Sequence, residues 1–149
     1  MFKKILCATE LNDASDEAVK KAIQLAHQYG SKIIMLNVHA EFMTKEEMGM
    51  LRVSIDGMKT IFENTAIQAK KEMHDLIEKF EASDIDVEYV ISEGKPNQVI
   101  CEKAKKVKAD LIIMGLQKKN VLSSYFIKNT AAYVIQQAIA PVLIVPMKK

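Results

Sequence analysis

The stretch DLIIMGLQKKNVLSSYFIKNTAAYVIQQAIAPVLIVP, residues 110–146, decides the fold of this chain. Leu111-Ile112-Ile113-Met114 has no polar alternation, the pattern of a strand covered on both faces. Gly115 follows at once, where a chain leaving a buried strand needs a tight turn and where bare backbone admits a close neighbour. After the basic loop 116–128, Ala131, Val134, Ile135 and Ala138 recur at helical spacing along one apolar face. Pro141 stops that helix, and Val142-Leu143-Ile144-Val145 forms a second strand ended by Pro146. Strand, loop, helix, strand is a βαβ unit, and its loop leaves from the carboxyl end of the first strand. Open α/β sheets bind their ligands at that end.

Working outward, the same alternation fills the rest of the chain. Ile5-Leu6-Cys7-Ala8 is a short buried strand, followed by the polar turn 10–15 with several possible helix caps. Asp16 and Glu17 suit a first helical turn, Val19, Ala22, Ile23 and Ala26 mark its buried face, and Gly30 caps its end. A second strand covers Ile33 to Val38. Residues 41–57 mix methionines, charges and two glycines, and read as a mobile excursion or a short helix. A clearer helix runs from about Met58 to Glu81. Ile85, Val87, Tyr89 and Ile91 alternate with Asp86, Glu88 and Val90, which predicts a half-exposed strand at a sheet edge. Gly94-Lys95-Pro96-Asn97 then turns into a helix ending near Lys108. The predicted architecture is a single α/β domain over residues 1–149, with one open five-stranded parallel sheet, helices on both faces and strand order 3-2-1-4-5. The ligand crevice then lies between strands 1 and 4, where the winding reverses.

Composition excludes several classes. With 149 residues the chain suits one domain with a real core, and 49% hydrophobic against 27% charged residues is globular usage. A net charge of +2, with lysines spread along the chain, gives no basic patch for nucleic acid. No apolar run approaches the ~20 residues that span a bilayer, and the first residues make a poor secretion signal. Cys7 and Cys101 form neither a metal spacing nor a redox pair, so they read as buried small hydrophobes of a reduced, cytoplasmic protein.

The chemistry-bearing candidates sit where strands 1 and 4 end. Glu10 is placed to accept hydrogen bonds from a ribose or a base, or to serve as a solvated carboxylate or a cap. Gly115 lets backbone approach a phosphate, or simply makes a turn. Lys118, Lys119 and Lys128 lie on the loop above, as anion-holding point charges or as a solvated basic loop. His27, His39 and His74 share no ligand spacing, so no metal site is predicted. Ser123-Ser124 lacks a nucleophile-elbow context, and neither a P-loop nor a dinucleotide glycine fingerprint is present. No catalytic residue is assigned, and the reading leans away from an enzyme.

Four landmarks in order resemble the universal stress protein family across nearly the whole chain. They are Lys3-Lys4-Ile5-Leu6-Cys7-Ala8-Thr9-Glu10, Gly94-Lys95-Pro96, Ala109 to Gly115, and Ala140-Pro141-Val142-Leu143-Ile144-Val145-Pro146. The resemblance implies an adenine nucleotide alpha hydrolase-like fold and a small cytoplasmic stress-response or regulatory protein. It also implies a homodimer through Val142, Leu143, Ile144 and Val145, with a further protein partner. ATP-binding members are similar to one another in a loop G-x-x-G-x9-G-S/T, whose backbone amides and hydroxyl hold the phosphates. Here Gly115 fits the first glycine, while Lys118, Lys128 and Asn129 occupy the next three positions, and Thr130 comes one residue late. Glu10 stands at the family aspartate that meets the nucleoside, and Val38 at the position near the base. A lysine in place of glycine adds a Cβ and restricts the backbone. The expectation is that ATP does not bind in the family manner. The alternative is an ATP-binding sensor or weak ATPase that keeps the pocket.

Overall fold

Alternate residues of each inner strand feed two separate apolar cores, one on each face of a single sheet. The computed structural model describes residues 1–39, 54–116 and 130–147. In chain order these give β1 (Lys4–Ala8), α1 (Asp13–Tyr29), β2 (Lys32–His39), α2 (Ile55–Lys79), β3 (Val87–Glu93), α3 (Pro96–Val107), β4 (Leu111–Leu116), α4 (residues 130–137) and β5 (Val142–Pro146). All strand pairs are parallel and the order is β3-β2-β1-β4-β5, as the sequence pattern predicts. Ile5 and Cys7 of β1, with Leu111 and Ile113 of β4, join Val19 and Ala22 of α1 and Met73 and Ile77 of α2. Leu6, Ile112 and Met114 join Ile100 and Ala104 of α3 and Ala131 and Val134 of α4. Every position of the run 111–114 is therefore buried, which explains its lack of polar residues. Both cysteines are buried as well, and burial pushes the Cys7 thiol up to about 12.

The helix ends follow the local chemistry. Asn12 caps α1 through a reciprocal box: its side-chain oxygen accepts from the Ser15 amide, and the Ser15 hydroxyl accepts from the Asn12 amide. Gly30 closes the helix in the left-handed region at φ 67°. Besides small shifts such as the start of β3 at Val87 rather than Ile85, two features differ from the sequence reading. Helix α2 begins at Ile55 rather than Met58, because Ser54 caps it by accepting from the Gly57 amide at 2.9 Å. Gly57 thus lies inside the first turn, where a glycine costs little. The second difference is at Gly115, which lies within β4 opposite Val145 and makes no turn. A Cβ there would stand 2.5 Å from the Ala14 carbonyl oxygen and 2.8 Å from its carbon. The glycine is needed because the first turn of α1 rests directly on the end of β4. Residues 41–53 of the expected excursion lie outside the described residues.

Candidate functional site

Among the described residues, the reversal of winding between β1 and β4 leaves a gap at their carboxyl ends. Ala8, Val38, Ile100 and Met114 make its apolar floor, and Thr9, Glu10, Asn12, Ser15 and Thr130 supply the polar groups around it. Ala14, Pro96 and Gly115 complete the described lining. The space open to the centre of a water-sized sphere is about 60 Å³. One water needs roughly 10–15 Å³ on that measure. A base edge or part of a sugar fits, and anything longer projects from the mouth.

The polar wall is built mainly by residues 9–15, which follow β1. The Thr9 amide donates to the Leu36 carbonyl at 2.9 Å, and the Asn37 side-chain amide donates to the Thr9 carbonyl at 2.7 Å. These bonds carry the chain end of β1 across to β2. Leu11 then adopts φ 58°, a left-handed conformation costing a side-chain-bearing residue roughly 1–2 kcal/mol. Its amide donates to the Thr9 hydroxyl oxygen at 3.0 Å, and the Thr9 hydroxyl donates to Ser15 Oγ at 3.1 Å. Thr9 and Ser15 are both buried, so this small network is shielded from competing water. The Asn12 side-chain amide donates to Glu10 Oε2 at 3.1 Å, which holds one carboxylate oxygen at the rim.

Three helices contribute their first described turns to the cavity: α1 through Ala14 and Ser15, α3 through Pro96, and α4 through Thr130. Helix N-termini carry partial positive charge and favour an electronegative group placed between them. Glu10 is the acid that lines the cavity beside them. The described lining offers hydroxyls, an amide, one carboxylate and an apolar floor, groups that hold a ligand by hydrogen bonds and apolar contact.

Of the residues singled out by sequence, Glu10, Val38, Gly115 and Thr130 come together around this one cavity. Lys118, Lys128 and Asn129 lie outside the described residues. Gly115 faces the cavity while its bare Cα also accommodates α1. Sequence reasoning missed Thr9, Asn12 and Ser15. The spacing Asn12-x-x-Ser15 was a readable capping signal, whereas the burial of Thr9 depends on β2 and is not local.

Three comparisons place this architecture among known proteins. The sequence profile of the Universal stress protein family matches residues 1–146. Universal stress protein MJ0531 of Methanocaldococcus jannaschii is 29% identical over 151 residues, covering 100% of this chain and 85% of that protein. Among solved structures, universal stress protein UspA from Lactobacillus plantarum superposes with a TM-score of 0.77 at 22% identity, covering 97% of each chain. A universal stress protein solved in complex with cAMP gives 0.68 at 23% identity, covering 99% of this chain and 98% of the other.

Proposed function

Because the chain belongs to the universal stress protein family, we propose that it is a small cytoplasmic regulatory protein of the stress response. In this reading it acts as a homodimer and holds the nucleoside part of an adenine nucleotide in the cavity between β1 and β4. One observation carries the ligand half: four residues that the family resemblance assigns to a nucleotide, Glu10, Val38, Gly115 and Thr130, line a single cavity at the winding reversal. Its apolar floor suits a base, and the Asn12-held Glu10 carboxylate suits a hydroxyl or amine donor. The related protein solved with cAMP supports an adenine nucleotide as the ligand class.

The substitutions at 118, 128 and 129 set the limit of this reading. By the family motif, lysines occupy positions 118 and 128, where glycines would leave bare backbone for the phosphates. The triphosphate therefore adds nothing to affinity beyond what a monophosphate provides. The homodimer half rests on β5, an edge strand with Val142, Leu143 and Ile144 half-buried and no charged residue between them. Pairing across a two-fold axis satisfies such an edge.

Thermal melting tests the ligand half with adenosine, AMP and magnesium-ATP side by side. A ligand at a hundred times its dissociation constant stabilises the native state by ~2.7 kcal/mol. At roughly 2–4 °C per kcal/mol for this size, that is a shift of several degrees. Equal shifts for AMP and ATP are expected. A much larger shift with ATP would show an intact triphosphate cradle, the property of an ATP sensor. No shift with any of the three would leave dimerisation and partner binding without a nucleotide.

A further inference from the structure

Helix α2 carries a group of metal-ligating side chains that shares no residue with the cavity. His74, Asp75 and Glu78 stand at i, i+1 and i+4, all exposed, and one ligand atom from each lies within 4.8 Å of the other two. Residues four apart on a helix share a face, and residues three apart overlap it, so Glu78 meets both its partners without any change of backbone. The pair is already drawn together, with His74 Nδ1 at 3.7 Å from Glu78 Oε1. The His74 ring also rests against Tyr89 of β3, with centroids 5.9 Å apart. That contact limits the positions the imidazole takes up and leaves its edge toward Glu78.

The surroundings add charge of the right sign. Asp75 also borders the cleft between α1 and α2, together with Asp16, Glu72 and Lys79. Three carboxylates against one ammonium leave that side net negative, which raises the local concentration of cations. We propose that His74, Asp75 and Glu78 form a surface site for a divalent transition-metal ion of the zinc, cobalt or nickel type. The imidazole selects this type, because magnesium and calcium take oxygen ligands. Ligands bind zinc at ~2.0–2.2 Å, so the three atoms must close by about 1 Å, and exposed side chains do so by small rotations. Three protein ligands leave at least one coordination position for water or for a donor from another molecule.

The test is titration of the full chain with cobalt(II), followed by its visible absorption and by calorimetry, with zinc as competitor. The expected result is saturable binding of one ion per chain, displaced by zinc and unaffected by excess magnesium. His74→Ala and Glu78→Gln should each weaken it at least tenfold, and Glu78→Gln, at an exposed side chain, should leave melting unchanged. His27→Ala is the control: His27 bonds the single carboxylate of Asp84 at 3.0 Å and should bind cobalt no differently from the parent. No saturable binding would overturn the site. So would equal binding by the His74 variant, loss of binding in the His27 variant, or displacement by magnesium.

Discussion

The two edges of the sheet are finished in opposite ways. The β3 edge, Val87–Glu93, alternates, with Glu88 turned to solvent and paired with Lys32 of β2 at 3.6 Å, and it ends in Ser92 and Glu93. The β5 edge, Val142–Pro146, is apolar through Val145 and has only a terminal proline as a stop. Exposed strand edges invite unwanted pairing, and charge is a common way to blunt them. One edge of this sheet follows that rule and the other does not. The lesson is that the alternation which made β3 legible as an edge is also what isolates it. The unbroken apolar run of β5, placed at the other end of the sheet by the predicted order, leaves it fit to pair with a second copy.

The comparison breaks most severely at Gly115, which joins the β5 side to α1. Gly115→Ala puts a Cβ against the Ala14 backbone, where no side chain can rotate away. Overpacking of this kind costs typically 1–3 kcal/mol, or roughly 2–12 °C of melting temperature for a chain of this length, read by calorimetry. Next comes assembly. Ile144→Lys should convert a dimer into a species with the 16.8 kDa mass of one chain by sedimentation. Glu88→Lys, a larger change of charge on the other edge, should leave sedimentation as it was. A dimer surviving Ile144→Lys, or lost with Glu88→Lys, would reverse the assignment of the edges.

The smallest effect sharpens the β3 side. Asp84, on the turn before β3, has its carboxyl held below the usual range, first by the hydrogen bond to His27. A carboxyl depressed in the folded state stabilises it above the unfolded pKa, and that contribution is lost as pH falls through the folded value. Asp84→Asn should therefore lower melting slightly near pH ~6, and the difference should close well below pH ~3.9. A constant difference across that range would show that His27 and Asp84 do not act as an ion pair.

The strand order was legible because burial on both faces, alternation at an edge and the glycine and proline stops are all local patterns. Gly30 and Pro141 are examples in which one residue's backbone fixes a boundary. What was not legible came from contacts far apart in the chain. Gly115 read as a turn glycine because nothing in its neighbours announces that Ala14, about a hundred positions earlier, presses against it. Thr9 carries no burial signal in its own neighbours, and its burial goes with the Asn37 and Leu36 groups of β2. The start of α2 was misplaced because Gly57 was weighed by helix propensity alone, before Ser54 was seen to cap it. Glu10 and Gly115 could be placed together because the winding reversal brings the ends of β1 and β4 to one spot, whereas Val38 and Thr130 joined them only through the family resemblance.

The carboxylate of Asp110 accepts the amides of both Lys3 and Lys4, at 3.0 Å each, and so fastens β4 to the start of β1 across more than a hundred residues. During synthesis β1, β2 and β3 emerge long before this clasp is available. At ~5–20 residues per second, the interval from Ala8 to Leu111 is roughly 5–20 s. Through that time the β1 side destined for β4 has no chain to pair with, and its unused amides and carbonyls flank Ile5-Leu6-Cys7-Ala8. A nascent chain stopped before Asp110 should therefore be sticky and call for chaperone protection. Extension by the next few residues, which bring the clasp and β4 together, should end that need abruptly.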